Sequence, residues 1–143
     1  NRFIIQSIIK KPLTVYGSGK QTRGYINIKD SVECIKIALR NKPNKGTLNI
    51  YNQFTEQFSV LQLAELVRDA MSDIKIDVQI KKMRNPRIES ENHYYNAKHS
   101  NLMKLGLKPT KLTKKIIIEI AQYCMKYKKN IQKDIINPKI TWK

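Results

Sequence analysis

Hydrophobic and polar positions along the chain switch between a helical and an extended period. Asn1 to Ile9 predicts a half-apolar helix with no start signal before it. Leu13 to Tyr16 and Gly24 to Ile28 read as short strands. Asp30 followed by Glu33 has the form of a capping box for a helix through Ile35, Ala38 and Leu39, ended by Asn41 to Gly46. Thr47 to Tyr51 reads as a buried-type strand that leads through Asn52 to Thr55 into a second helix. Ser59 caps that helix with Gln62 three residues on, and Leu61, Leu63, Ala64, Val67 and Ala70 form its apolar stripe. Ile76 to Ile80 alternates apolar and polar residues as a half-exposed strand does. A short helix closes at Gly106 in the C′ position, and a last helix spans about Leu112 to Lys128. The pattern predicts an α/β chain with a helical tail. With no repeat, low-complexity tract or long linker, residues 1–143 read as a single unit.

The chain opens at Asn1 without a Met, inside a helical pattern, which predicts a piece of a longer protein. An apolar face of the Asn1 to Ile9 helix is then expected to be left exposed. No run of about 18 apolar residues and no charged-then-apolar leader occurs, so no transmembrane segment or secretory signal is read here. Cys34 and Cys124 fall within helical apolar patterns without CxxC or Cys/His spacing, and read as core residues of a reducing compartment.

The net charge of +17 nominates a polyanion partner on composition alone. Its distribution weighs against a nucleic acid. The cations are 22 Lys against 6 Arg, spread along the chain and densest after Lys98, and the aromatic residues do not interleave with a basic stripe. A solvated face explains them, and a basic module for nucleic acid or anionic lipid is the competing reading.

Two short motifs fail on inspection. Gly17-Ser-Gly19-Lys20 lacks the GxxxxGK spacing of a phosphate loop, and Thr22 stands where a dinucleotide fingerprint needs a third glycine. Tyr25/Lys29 and Tyr94/Lys98 have the Tyr-xxx-Lys spacing, but that pair needs a helix to put phenol and ammonium on one face, and neither tyrosine is expected in one. No catalytic set or metal site is read from this chain, and His93 and His99 read as polar surface residues. Two Arg-containing segments survive: Gln21-Thr-Arg23-Gly-Tyr-Ile26 and Asn85-Pro-Arg87-Ile-Glu89. A guanidinium can grip two phosphate oxygens, and a nearby carboxylate can accept from a ribose diol. On chemistry alone, ordinary surface arginines explain them as well.

Leu13-Thr-Val-Tyr-Gly-Ser-Gly-Lys-Gln-Thr-Arg-Gly-Tyr-Ile-Asn-Ile-Lys-Asp30 resembles the strand-turn-strand segment of extended short-chain dehydrogenases, the epimerases and dehydratases of nucleotide sugars. Asn52-Gln-Phe-Thr-Glu-Gln-Phe-Ser-Val60 and Asn85 to Ala97 narrow the resemblance to the branch that joins UDP-glucose with sulfite. The resemblance implies the C-terminal, substrate-binding part of an NAD-dependent enzyme, with the NAD-binding Rossmann half and the catalytic residues elsewhere. It further implies a homodimer when complete, and a plastid or a cyanobacterial-type cytoplasm. Phe3 and Tyr16 would line the uracil site, Gln21 and Arg23 would reach the ribose and diphosphate, and Arg87 would be the diphosphate arginine. Glu89 or Glu91 would accept from the ribose hydroxyls. Asp30 is expected only to cap its helix. Because no segment here can cradle a pyrophosphate at a helix N-terminus, residues 1–143 alone are expected to show no saturable NAD binding in calorimetry. Saturable binding would overturn that reading.

Overall fold

A computed structural model of the chain describes residues 1–85 and 100–136. In chain order the elements are α1 (Arg2–Ile8), β1 (Leu13–Tyr16), β2 (Thr22–Tyr25), α2 (Ile28–Arg40), β3 (Glu56–Ser59), α3 (Val60–Ser72), β4 (Ile80–Met83), α4 (Ser100–Lys104) and α5 (Lys114–Lys126). A single 3-10 turn follows at Lys128–Asn130. The composition is α/β, as the periodicity predicts. Where the sequence suggests one unit, the contacts divide the described residues into two: 1–22, 59–85 and 113–136 form the first, and 23–58 with 100–112 the second.

In the first unit β1 and β4 pair in parallel, from Leu13 opposite Ile80 to Tyr16 opposite Met83. α1 packs on β1, α3 and α5, and α3 packs on α5 and both strands. Leu13, Val15, Ala64, Val67, Ala70, Met71, Ile117 and Ala121 make the interior. The expected exposed face of the first helix is not found: Phe3, Ile4, Gln6, Ser7 and Ile8 are all buried. The helix is apolar enough around its circumference to be enclosed.

Thr14 shows how α1 is fixed. Its N–H donates to Gln6 Oε1 at 3.2 Å, its hydroxyl oxygen accepts from Gln6 Nε2 at 2.8 Å, and its carbonyl accepts from Arg2 Nη2 at 2.8 Å. On the other side of the strand, Leu13 N–H reaches Gln79 carbonyl at 2.8 Å. Arg2 and Gln6 are four residues apart, hence on one helix face. They take the place of a neighbouring strand at the free edge of β1.

α3 opens with the capping box expected from the sequence: Ser59 Oγ accepts from Gln62 N, and Gln62 Oε1 accepts from Ser59 N at 2.8 Å. The strand expected over Ile76 to Ile80 begins only at Ile80. The turn that closes α3 absorbs the earlier residues, since the Ile74 and Ile76 N–H groups both donate to Met71 carbonyl and Lys75 adopts φ 60°.

In the second unit β2 pairs with β3, a strand the sequence reading passed over as part of the loop into the second helix. Gly24 meets Phe54 so closely that a Cβ would stand 2.8 Å from the ring. β2 ends earlier than the Gly24 to Ile28 expectation because Asn27 turns the chain into α2 and caps it, accepting from Lys29 N–H at 2.9 Å. Asp30 is therefore not the cap. It is buried, and it accepts from Thr110 N–H at 2.6 Å and Thr110 hydroxyl at 2.8 Å. Glu56 does the same for Leu112 N–H at 2.6 Å. Two carboxylates thus hold the segment after α4. Cys34, Ile37, Leu102 and Leu107 form the core of this unit, with Ile26 and Tyr51 packed against it. Burial, then the Asp30 carboxylate, push the Cys34 thiol above its ordinary value, which suits a core residue rather than a nucleophile.

Thr47 to Tyr51 departs furthest from expectation. It is not a strand, and Leu48 and Ile50 are 82% and 70% exposed.

Asp30→Ala removes both bonds to Thr110 and leaves a partly buried N–H unpaired, so it is expected to cost about 1.5–3 kcal/mol. Urea unfolding should show this as a lower midpoint at unchanged slope, and a midpoint equal to wild type would refute the clamp.

Candidate functional site

The sequence-predicted residues that the structure describes are Phe3, Tyr16, Gln21 and Arg23. Phe3 and Tyr16 are brought together by Arg2, whose guanidinium carbon lies 5.3 Å from the Phe3 ring centre and 5.1 Å from that of Tyr16. Phe3 is buried beneath it, whereas Tyr16, at the end of β1, is half-buried. Burial pulls the Arg2 guanidinium below its ordinary value, with Tyr16 working the other way. It remains a cation at neutral pH. Arg2 was not singled out in the sequence, although it is one of only 6 arginines, and its spacing to Gln6 was the available signal.

Gln21 adjoins the same end of β1. Its side-chain amide N–H donates to Tyr16 carbonyl at 3.3 Å, and its backbone carbonyl accepts from Val60 N–H at 3.1 Å. The residue is only 7% exposed. Among the described residues its Oε1 is the one buried side-chain N or O atom without a hydrogen-bond partner. A buried acceptor left unpaired costs about 1–3 kcal/mol, so it marks a place where a donor is wanted.

Gly17 and Gly19 serve the turn rather than a phosphate. Both have positive φ, 64° and 73°, and a Cβ on Gly19 would stand 2.7 Å from Val15 Cγ1. Gly19 carbonyl accepts from Leu61 N–H at 3.0 Å. With Val60 N–H on Gln21 and Gln62 N–H on Ser59, the first amides of α3 are all occupied. This helix start has no N–H left for a pyrophosphate.

In the second unit Arg23 lies exposed on β2. Tyr25 follows on the same strand and Lys29 lies on α2, so this Tyr-xxx-Lys is not a helix pair. Tyr25 packs edge-on to Phe58 at 5.8 Å, and burial raises its phenol above 10.0, with Arg23 opposing. A catalytic phenol needs the opposite shift.

Arg87, Glu89 and Glu91, with His93, Tyr94, Lys98 and His99, lie outside the described residues. No group of three or more metal-binding side chains occurs among the described residues, and no helix among them is long and apolar enough to cross a membrane. A groove of about 320 Å³ lined by Arg68, Asp69, Ser72, Asp77, Val78 and Gln79 contains none of the sequence-predicted residues.

Residues 1–52 match the NAD dependent epimerase/dehydratase family. The chain is 43% identical over its whole length to the chloroplastic UDP-sulfoquinovose synthase of Spinacia oleracea, of which it spans 30%. It is 37% identical, again over its whole length, to the UDP-sulfoquinovose synthase of Sulfolobus acidocaldarius, of which it spans 37%. Among solved structures, the UDP-glucuronic acid 4-epimerase of Bacillus cereus, in complex with UDP-glucuronic acid and NAD, superposes with a TM-score of 0.67. That likeness covers 88% of this chain and 39% of the epimerase at 24% identity, and it concerns the fold.

Arg2→Ala opens the Thr14 carbonyl and removes the cation from two rings, so a loss of about 1–2 kcal/mol in unfolding free energy is expected. Arg2→Lys should recover less than half, because an ammonium lacks the planar fork. Full recovery by lysine would contradict the stacked geometry.

Proposed function

We propose that this chain supplies the nucleotide-sugar-binding part of a longer NAD-dependent enzyme, a UDP-sulfoquinovose synthase that takes UDP-glucose and sulfite. The observation that carries the reading is identity of 43% and 37% to two UDP-sulfoquinovose synthases along all 143 residues. NAD, held by the part of the enzyme outside this chain, supplies a hydride acceptor for sugar oxidation and returns the hydride later. This chain binds and orients the substrate. Tyr16 meets the base at the half-buried end of β1, and the unpaired Gln21 Oε1 accepts from a hydroxyl or N–H of the nucleoside. Arg23 and Arg87 clamp the diphosphate, with Glu89 or Glu91 on the ribose. A UDP-sugar epimerase or dehydratase is the alternative, favoured by the family match of residues 1–52.

A charge-assisted contact of this kind contributes about 1.5–3 kcal/mol, and each ~1.4 kcal/mol is tenfold in affinity. In the complete enzyme, Arg87→Ala is expected to weaken UDP binding by roughly ten- to a hundredfold, with Arg23→Ala next in effect and Arg87→Lys only partly restoring it. Lys128→Ala, on an exposed lysine, should change affinity by less than about twofold. A UDP titration at fixed ionic strength decides it: equal effects from arginine and lysine variants would point to a diffuse polyanion surface instead. Turnover of UDP-glucose with and without sulfite separates the synthase from an epimerase.

A further inference from the structure

The C-terminal end of α5 carries charged and aromatic surface that neither the core nor the proposed substrate site uses. Ile117 and Ala121 bury one side of this helix in the first unit. Tyr123 and Tyr127, four residues apart and so on one face, lie on the other side, 62% and 51% exposed. Their ring centres are 5.2 Å apart and the planes are tilted by 52°. Lysines follow them. Lys126 closes the helix, Lys128 and Lys129 belong to the 3-10 turn after it, and Lys133 comes next. Lys11, from the turn between α1 and β1, joins this group by donating from Nζ to the Lys133 carbonyl at 3.3 Å. None of these five lysines is in an ion pair among the described residues. Residues 120–136 hold four lysines against one acid, Asp134. A lysine in the last turn complements the helix dipole, whose reach ends there, and Lys128, Lys129 and Lys133 lie beyond it. Ile135, two residues after Lys133, adds an apolar side chain that is 65% exposed.

We propose that this surface docks the complete protein on an anionic membrane, with the tyrosines at headgroup level and the lysines against the lipid phosphates. Unpaired ammonium groups are almost never buried against apolar surface, so an apolar part of the longer protein is not what covers them. The occupant is anionic, and three details select a bilayer. The cations are lysines, whose flexible stems cover apolar surface while the ammonium reaches outward, and no arginine stands among residues 120–136 to offer a planar fork. The two rings are engaged with each other at a tilt, which is not the platform on which successive bases stack. Tyrosines with an apolar body and a polar tip, close to an exposed isoleucine, match the layering of a membrane surface. A cluster of four or more lysines is held electrostatically by acidic lipid, each lysine strengthening attachment about fivefold. This docking is independent of the substrate proposed above.

Co-sedimentation of the complete protein with phosphatidylcholine vesicles, with and without an equal part of phosphatidylglycerol, tests this at fixed ionic strength. Binding is expected to the mixed vesicles alone. Lys128→Ala with Lys129→Ala should weaken it about 25-fold, and Tyr123→Ser with Tyr127→Ser by at least about threefold. Lys42→Ala with Lys45→Ala, in the second unit, should change it by less than about twofold. All of these side chains are exposed, and an unchanged urea midpoint checks that each variant folds. No binding to the mixed vesicles, or equal binding to both kinds, overturns the proposal. Equal effects from the two lysine pairs do the same, because net charge alone would then explain attachment. Tyrosine variants that bind as tightly as wild type also overturn it, since charge without rings fits an acidic protein as well as a bilayer. Tighter binding to a single-stranded RNA at the same ionic strength would assign the surface to nucleic acid instead.

Discussion

The first unit depends on how the free edge of β1 is closed. A two-stranded parallel ladder leaves half the backbone groups of each strand facing away from its partner, and unpaired buried groups of that kind are costly. At Thr14 the missing neighbour is replaced by a helix face: Gln6 takes the N–H and Arg2 takes the carbonyl. This requirement explains why a seven-residue helix, too short to persist alone, is enclosed nearly all round. It also places Tyr16, one strand period beyond Thr14, beside the Arg2 guanidinium. Gln21 then inherits its position from Tyr16 through the 3.3 Å bond.

The second unit is organised by charge in a different way. Asp30 and Glu56 each accept from backbone N–H groups far along the chain, at Thr110 and Leu112. They are among only 11 acidic residues against 28 basic ones, and two of those acids are used to bind the backbone rather than to neutralise lysines. The net charge of +17 follows from the composition, wherever those acids sit. Exposed pairs such as Lys114 with Asp73 at 3.1 Å contribute little to stability.

Local signals were legible in the sequence, and distant ones were not. The Ser59 and Gln62 capping box, the Leu13–Tyr16 strand, the glycine after α4 and the buried Cys34 all rest on contacts within a few residues or on a strong period. Asp30 looked like a cap because its true partner is 80 positions away and Asn27 could not be preferred from spacing alone. The residue that joins Phe3 and Tyr16 is not legible in the sequence, since Arg2 reads as an ordinary helix-surface cation until Thr14 is placed beside it. Thr47 to Tyr51 has the composition of a strand; composition specifies what a segment wants, and pairing depends on what else is present. For Arg87, Glu89 and Glu91 the sequence remains the sole source.

The side-chain closure of β1 also has a consequence in time. Its contacts join residues 8 and 12 apart, whereas the ladder on the other edge must bring Leu13 to Ile80. Closing a short loop costs less chain entropy and occurs sooner than closing a long one. A nascent chain therefore has the means to stiffen and desolvate one edge of β1 long before β4 has left the ribosome, so that the strand waits as a one-sided template, able to recruit its proper neighbour but closed to a wrong one.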